Sequence, residues 1–185
     1  MFASLGELLA LAMVACTVAG CGDSGEPEWL ITTPDTVVLY SLSRAEHFGM
    51  PSGFDMVYSR RVVIEGESET GNWDLAVFDD TGSFHIFMPG AFAGLDSTSS
   101  IIRVEGTPFD GLAEAPRTGY DSAGLAIDAN GLYVVRTRTV TDAYGNACHY
   151  FGKLEPVKID GTNGTLTFRY LSNPNCSSRA LTPPD

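Results

Sequence analysis

The chain has little positive charge. It contains two lysines, Lys153 and Lys158, and nine scattered arginines against 23 aspartates and glutamates, which gives a formal net charge of −12. A protein that binds nucleic acid needs clustered cations to displace counterions from the phosphates. Because the chain has no such cluster, the sequence excludes nucleic acid as a partner.

The sequence also lacks the common catalytic motifs. It has no G-x-S-x-G elbow, no H-E-x-x-H, no P-loop and no G-x-G-x-x-G that follows a predicted strand. With three histidines and no nucleophile motif, we expect a protein that is not an enzyme. Hydrophobic residues make up 44% of the chain and charged residues 18%, which is enough apolar material for a core. The length predicts one domain.

No hydrophobic run is long enough to cross a membrane. The longest candidate, residues 8–20, has thirteen uncharged residues, which matches the apolar region of a signal peptide rather than a spanning helix. Small residues at positions 18–20 precede Cys21 and resemble the lipobox of bacterial lipoproteins. The resemblance implies cleavage before Cys21, acylation of its thiol and a stable lipid anchor in the bacterial cell envelope, on the periplasmic or outer surface. Cys16 is an alternative cleavage site, and an ordinary buried helix is the alternative interpretation.

These features divide the chain into three parts. We expect a signal peptide at residues 1–20, a flexible tether at residues 21–28 and one domain at residues 29–185. If Cys21 carries lipid, Cys148 and Cys176 remain as a pair in an oxidising compartment, and they are expected to form a disulfide. A metal or redox site is the alternative, suggested by His149 beside Cys148.

The pattern along the domain predicts an all-β fold. Short runs rich in Val, Ile, Thr, Tyr and Phe alternate with clusters of Gly, Asp, Asn and Pro. Turn residues at 79–82, 128–131 and 160–164 predict three hairpins, and residues 108–116 predict a short helix. We expect a single antiparallel β-sandwich-like domain with one short helix. The predicted strands span residues 36–42, 54–65, 73–78, 83–88, 100–105, 125–128, 132–140, 149–159 and 165–171.

Several sequence blocks also resemble a known family when they are taken in order. They are Trp73-Asp74-Leu75-Ala76-Val77, residues 109–116, residues 132–138, Gly152-Lys153-Leu154 and residues 166–170. This order resembles the HmuY-like family of lipid-anchored, all-β haem-binding lipoproteins of the bacterial outer surface, over about half of the chain. The resemblance implies haem as a possible cofactor.

The candidate haem ligands must come from residues that bind iron. His85, near Met88, and His149, flanked by Tyr150 and Phe151, are the two histidines that a sheet would present rigidly. The alternative for each is a structural, hydrogen-bonded histidine. Asp74 and Arg136 lie on strands whose apolar faces should pack together, which predicts a buried or half-buried ion pair that orients the strands.

The acidity is concentrated in the N-terminal half. Residues 21–100 contain 13 acids and 3 cations, whereas residues 101–185 contain 9 acids and 8 cations. The acidic stretch from Glu65 to Asp80 forms either a docking face for a cationic partner or a solvated surface. We therefore expect a non-catalytic, lipid-anchored extracytoplasmic binding protein for haem or another hydrophobic ligand. The alternative is a structural accessory subunit that docks on the extracytoplasmic face of a membrane protein complex.

Overall fold

The part of the chain that the structure describes folds into two five-stranded β-sheets and one small two-stranded sheet. The computed structural model describes Trp29, residues 32–80 and residues 83–184. Helical structure in these residues is limited to four 3-10 turns of three residues each. The described strands are β1 (Asp35–Tyr40), β2 (Gly53–Asp55), β3 (Arg60–Val62), β4 (Leu75–Asp80), β5 (Ser83–Phe87), β6 (Ser100–Val104), β7 (Gly124–Ala126), β8 (Leu132–Arg136), β9 (Val140–Thr141), β10 (Ala147–Cys148), β11 (Phe151–Asp160) and β12 (Thr165–Ser172).

The two larger sheets pack face to face. The first sheet has the order β1-β12-β11-β8-β6 and the second has the order β3-β2-β4-β5-β7, while β9 and β10 form the small sheet. Neighbouring strands pair antiparallel in each sheet. The predicted all-β, antiparallel sandwich-like fold is therefore confirmed.

The core between the sheets follows the alternation of the strands. In β12, Leu166, Phe168 and Tyr170 are buried and point towards the second sheet, as the two-residue period predicts. In β4 of the second sheet, Leu75 and Val77 are buried in the same core and point towards the first sheet. The same two-residue period would place Trp73 on their face, but Trp73 lies before the strand begins and packs with Val62 and Ala76 in a separate cluster.

Two of the three predicted hairpins are present. β4 pairs with β5 up to Asp80 and Ser83, on either side of residues 81–82, which lie outside the described part of the chain. β11 pairs with β12, and the Asp160 carboxylate accepts hydrogen bonds from the backbone and side-chain nitrogens of Asn163 in the turn. Residues 128–131 instead connect β7 of the second sheet to β8 of the first, so the third hairpin prediction is wrong.

The predicted helix at residues 108–116 is also not formed. This segment contains one 3-10 turn, Phe109–Gly111, and lies across the outer face of the first sheet. The buried Lys153 ammonium donates to the carbonyl oxygens of Phe109 and Leu112, at 2.8 and 3.0 Å. After this turn, residues 113–115 pair with residues 179–181 of the C-terminal segment instead of continuing a helix. Burial lowers the pKa of Lys153.

Candidate functional site

A buried charged network joins the two sheets at one end of the sandwich. Asp55 ends β2, Asp74 precedes β4, and Arg138 follows β8. We call the end of the sandwich where these three residues meet the cleft end. The Arg138 guanidinium donates to both oxygens of Asp55, at 3.1 and 3.2 Å, and to Asp74 at 3.0 Å. Both carboxylate side chains are fully buried, and the side chain of Arg138 is 10% exposed. Arg60 of β3 also lies 3.3 Å from Asp55, so the two buried acids of the second sheet face two arginines, one from each sheet.

Asp74 also organises the backbone around it. Its carboxylate accepts hydrogen bonds from the backbone N–H of Met56 at 2.9 Å, the backbone N–H of Arg138 at 2.8 Å and the hydroxyl of Ser99 at 2.9 Å. Burial raises the pKa of this carboxyl, and the neighbouring Arg138 charge opposes that shift. With its oxygens committed to four donors, Asp74 serves to position the chain segments that meet at the cleft end.

The predicted partner of Asp74 was the wrong arginine. Arg136 is the last residue of β8, and its guanidinium lies 5.7 Å from the centre of the Tyr120 ring. The neighbouring Val134 packs on the same outer face of the first sheet, away from Asp74. Arg138 reaches Asp74 because β8 ends at Arg136 and the chain then turns across the end of the sandwich.

The network forms the floor of an open cleft. The cleft has a volume of about 520 Å³ and is bordered by the β2–β3 turn, the residues before β4 and β6, and β9. Arg138 lies at its floor, and Tyr58 at its edge is 67% exposed. Val140 is its one aliphatic lining side chain. The remaining side chains that line it carry hydroxyl, amide or carboxylate groups: Asn72, Asp96, Ser97, Thr98, Thr139 and Thr141.

Several cleft residues already have fixed positions. The Thr98 hydroxyl lies 2.9 Å from the Thr139 hydroxyl and accepts a hydrogen bond from the Thr139 backbone N–H at 2.8 Å. The Asp55 carboxylate accepts hydrogen bonds from the backbone N–H groups of Val57 and Tyr58, which holds the turn that carries Tyr58. The cleft is therefore built on loops whose ends are tied to the buried network.

The two candidate haem ligands lie on opposite outer faces of the sandwich. His85 is on β5, and its ring stacks on Phe87 with centroids 5.9 Å apart, on the side of the second sheet away from the core. His149 precedes β11 and contacts Phe151, which faces outward from the first sheet, with centroids 5.2 Å apart. Burial, and then the charge of Arg136, lower the pKa of His149.

This placement does not fit a haem held by both histidines. Face-to-face sheets are separated by roughly 10 Å of packed core, and each imidazole points away from that core. No histidine lines the cleft. His85 and His149 therefore cannot ligate one haem iron together in this chain.

Cys148 and Cys176 form a disulfide, as the sequence predicts. Their Cα atoms are 5.1 Å apart, and the bond ties β10 to the C-terminal segment. The Asp142 carboxylate approaches the Cys148 sulfur at 3.7 Å, so these three residues form a compact group of potential metal ligands. Because both sulfurs are consumed by the disulfide, the alternative metal or redox interpretation lacks the thiolates that it needs.

The acidic stretch of the N-terminal half is divided among arginine partners. Asp74 pairs with Arg138, as described above. Asp79 accepts hydrogen bonds from Arg44, and Glu69 from Arg60. Glu65 and Glu67 remain exposed. A continuous acidic docking face is therefore not formed by this stretch, which weakens the basis for the accessory-subunit alternative.

The predictions for the start of the chain lie outside the described residues. These are the signal peptide at residues 1–20, the lipid attachment at Cys21 and the tether at residues 21–28. In the part of the chain that is described, no helix has the length and apolar character needed to span a bilayer.

The sequence did not reveal Tyr58, Asp55, Arg138 or the cleft. The one local signal was the Arg136-Thr137-Arg138-Thr139 run, in which polar side chains continue past an apolar strand. No protein-family model matches this chain, and no curated protein matches it.

Proposed function

We propose that this chain is a non-catalytic binding protein of the bacterial cell envelope, anchored by lipid on Cys21, and that its ligand occupies the cleft at the end of the sandwich. The observation that carries the proposal is a cleft whose lining is made mostly of exposed or half-buried polar side chains and whose floor is held by the buried Arg138 network. The envelope location rests on the lipobox-like residues that precede Cys21.

The arrangement of the cleft supports binding. Loops that converge at one end of a sandwich can carry recognition groups while the sheets provide rigidity. Tyrosine, serine, threonine and asparagine side chains combine a large contact area with adaptable hydrogen bonds. A volume of about 520 Å³ is in the range of small-ligand sites.

The chemistry of the lining gives little support to catalysis. Among the side chains that line the cleft, Asp96 is an exposed carboxylate, while the carboxylates beneath Arg138 are fully paired. A general acid–base reaction needs a proton donor and acceptor poised beside the reacting atoms. Asp96 has no histidine or cysteine partner in the lining, so a bound molecule would be held rather than converted.

Hydrogen–deuterium exchange of the full chain in detergent tests the proposal. Three probes are added separately: a mixture of neutral oligosaccharides, a mixture of short peptides, and haem. We expect one of the two polar mixtures to give saturable protection of residues 96–98 and 139–141. Residues 160–164, in the β11–β12 turn at the opposite end of the sandwich, serve as the internal control and should not change. The proposal fails if neither mixture protects the cleft segments.

Haem provides the contrasting result. Because His85 and His149 cannot reach one iron together, we expect that haem added to the full chain gives no low-spin spectrum of the bis-histidine type. If such a spectrum appears and is lost in both His85→Ala and His149→Ala, the haem function regains its support and the cleft proposal is wrong.

A further inference from the structure

We infer that the ligand of the cleft is a neutral saccharide, recognised by stacking on Tyr58 and by hydrogen bonds from the surrounding polar side chains. The inference rests on the proposed function, because it names the ligand class of the same site. It is carried by three properties of the cleft: an exposed aromatic ring, a set of polar groups beside it, and the absence of net positive charge in the lining.

Tyr58 offers a large aromatic face to solvent from a fixed position. Its side chain is 67% exposed, although its backbone N–H is held at 3.3 Å by the buried Asp55 carboxylate. That carboxylate is in turn held by Arg138. The face of an aromatic ring carries partial negative charge, and the C–H groups on one side of a sugar ring carry partial positive charge. The two surfaces are complementary in shape and polarity.

Polar groups are placed where the hydroxyls of such a sugar would lie. The Asn72 amide nitrogen donates to the Ser68 carbonyl at 3.0 Å, which leaves its Oδ1 as an acceptor at the cleft. Asp96 and Thr141 are exposed in the lining. The Arg138 guanidinium carries five N–H donors. It makes three hydrogen bonds to Asp55 and Asp74. The cleft can therefore both accept from and donate to hydroxyl groups, which are themselves donors and acceptors.

The charge of the cleft selects against other ligand classes. The single cation in the lining, Arg138, is paired with two buried carboxylates, one of which also pairs with Arg60, and Asp96 adds a negative charge to the lining. An anionic ligand such as a phosphate would be repelled by this balance. A hydrophobic ligand would find Val140 and the ring of Tyr58 as its apolar contacts, whereas apolar ligands usually bind in pockets with mostly apolar walls. A neutral polyhydroxylated molecule is not repelled by the charge of the cleft and does not need mostly apolar walls.

Isothermal titration of the full chain with neutral oligosaccharides tests the inference. The probes are hexasaccharides of glucose, mannose, galactose and N-acetylglucosamine. We expect saturable binding of at least one probe and a loss of about tenfold in affinity for Tyr58→Ala, the upper range for loss of an aromatic contact. Tyr58→Phe keeps the ring and should bind nearly as well as the unmodified chain.

Tyr144 supplies the matched control. It is 91% exposed but does not line the cleft, so Tyr144→Ala should leave the affinity unchanged. Equal losses for Tyr58→Ala and Tyr144→Ala would overturn the inference. It is also overturned if none of the four probes binds. If the peptide mixture protects the cleft in the exchange experiment and no saccharide does, the ligand class is wrong but the proposed site stands; if neither mixture protects it, both fail.

Discussion

Replacing Arg138 by methionine should destabilise the protein strongly. The substitution removes the cation that faces Asp55 and Asp74, whose side chains are fully buried. Breaking a buried ion pair by removing one partner costs about 3–5 kcal/mol, because the remaining charge is desolvated without compensation. The three hydrogen bonds from Met56, Ser99 and the backbone of residue 138 to Asp74 do not depend on the guanidinium, and Asp55 keeps Arg60 at 3.3 Å. We therefore expect a loss of about 3–4 kcal/mol, in the lower part of that range. This corresponds to a fall in Tm on the order of 10 °C.

Urea unfolding followed by tryptophan fluorescence measures this change, since Trp73 is fully buried. The midpoint should fall while the slope of free energy against urea stays the same. Arg136→Met is the matched control: Arg136 makes a contact with the Tyr120 ring at 5.7 Å, which contributes roughly 0.5–1 kcal/mol. The reasoning is refuted if the two substitutions destabilise the protein equally.

The pH dependence gives a second check on the same variant. Burial already raises the pKa of Asp74, and loss of the Arg138 charge should raise it further. The folded state then binds more protons than the unfolded state at pH values above the ordinary pKa of an aspartate. Stability of Arg138→Met relative to the unmodified chain should therefore recover as the pH falls from neutral towards that ordinary value. A difference that does not change with pH would contradict this account.

Three further predictions concern other parts of the chain. Cys148 and Cys176 should resist alkylation until they are reduced, and replacing both by serine should lower the free energy of unfolding by about 3–4 kcal/mol; labelling of both thiols in the unreduced chain would exclude the disulfide. Burial raises the pKa of Tyr120 to about 12, so an absorbance titration of the folded chain should lose one late-ionising tyrosine in Tyr120→Phe. Because the unfolded phenol ionises near pH 10, the stabilising effect of this shift is present below about pH 10 and is lost between about pH 10 and 12. Finally, Cys21→Ser should release the protein from membranes or leave it unprocessed, and a cleaved, membrane-bound Cys21→Ser protein would rule out the lipid attachment.

The fold class could be predicted because the strands carry their own pattern. β12 alternates buried and half-buried residues along its length, and β5 places Phe84 and Ile86 in the core with His85 and Phe87 outside it. These periods depend on residues that are close in sequence. The predicted strand at residues 54–65 was too long, because Asp55 accepts the N–H groups of Val57 and Tyr58 and creates a turn between β2 and β3. These hydrogen bonds to Asp55 do not produce a periodic pattern in the sequence.

The errors share a different cause, which is contact between segments distant in sequence. The helix expected at residues 108–116 is replaced by one 3-10 turn and a stretch that pairs with residues 179–181 near the C-terminus. The ion pair was assigned to Arg136 because it lies on a strand whose apolar face was expected to pack against the strand of Asp74, and the predicted strand at residues 132–140 contained both arginines. The end of β8 decides which of them turns inward, and a one-dimensional pattern does not contain that information.

The candidate site could not be predicted from the sequence for the same reason, because its residues meet only in the folded chain. The way these residues are held also determines which of them can change without loss of stability. Tyr58, Asn72, Asp96 and Thr141 come from four separate segments, so no local motif unites them. Their segments are positioned from beneath by Asp55, Asp74 and Arg138, which link the two sheets. Exposed lining residues such as Asn72 and Thr141 can therefore change with little effect on stability, since surface substitutions usually alter it by about 0.5 kcal/mol or less. Substitution in the buried network would instead lower the stability of the sandwich and disturb every segment of the cleft at once. Substitutions among the exposed lining residues can thus change ligand preference without changing fold stability, whereas substitutions in the buried floor of the cleft change both.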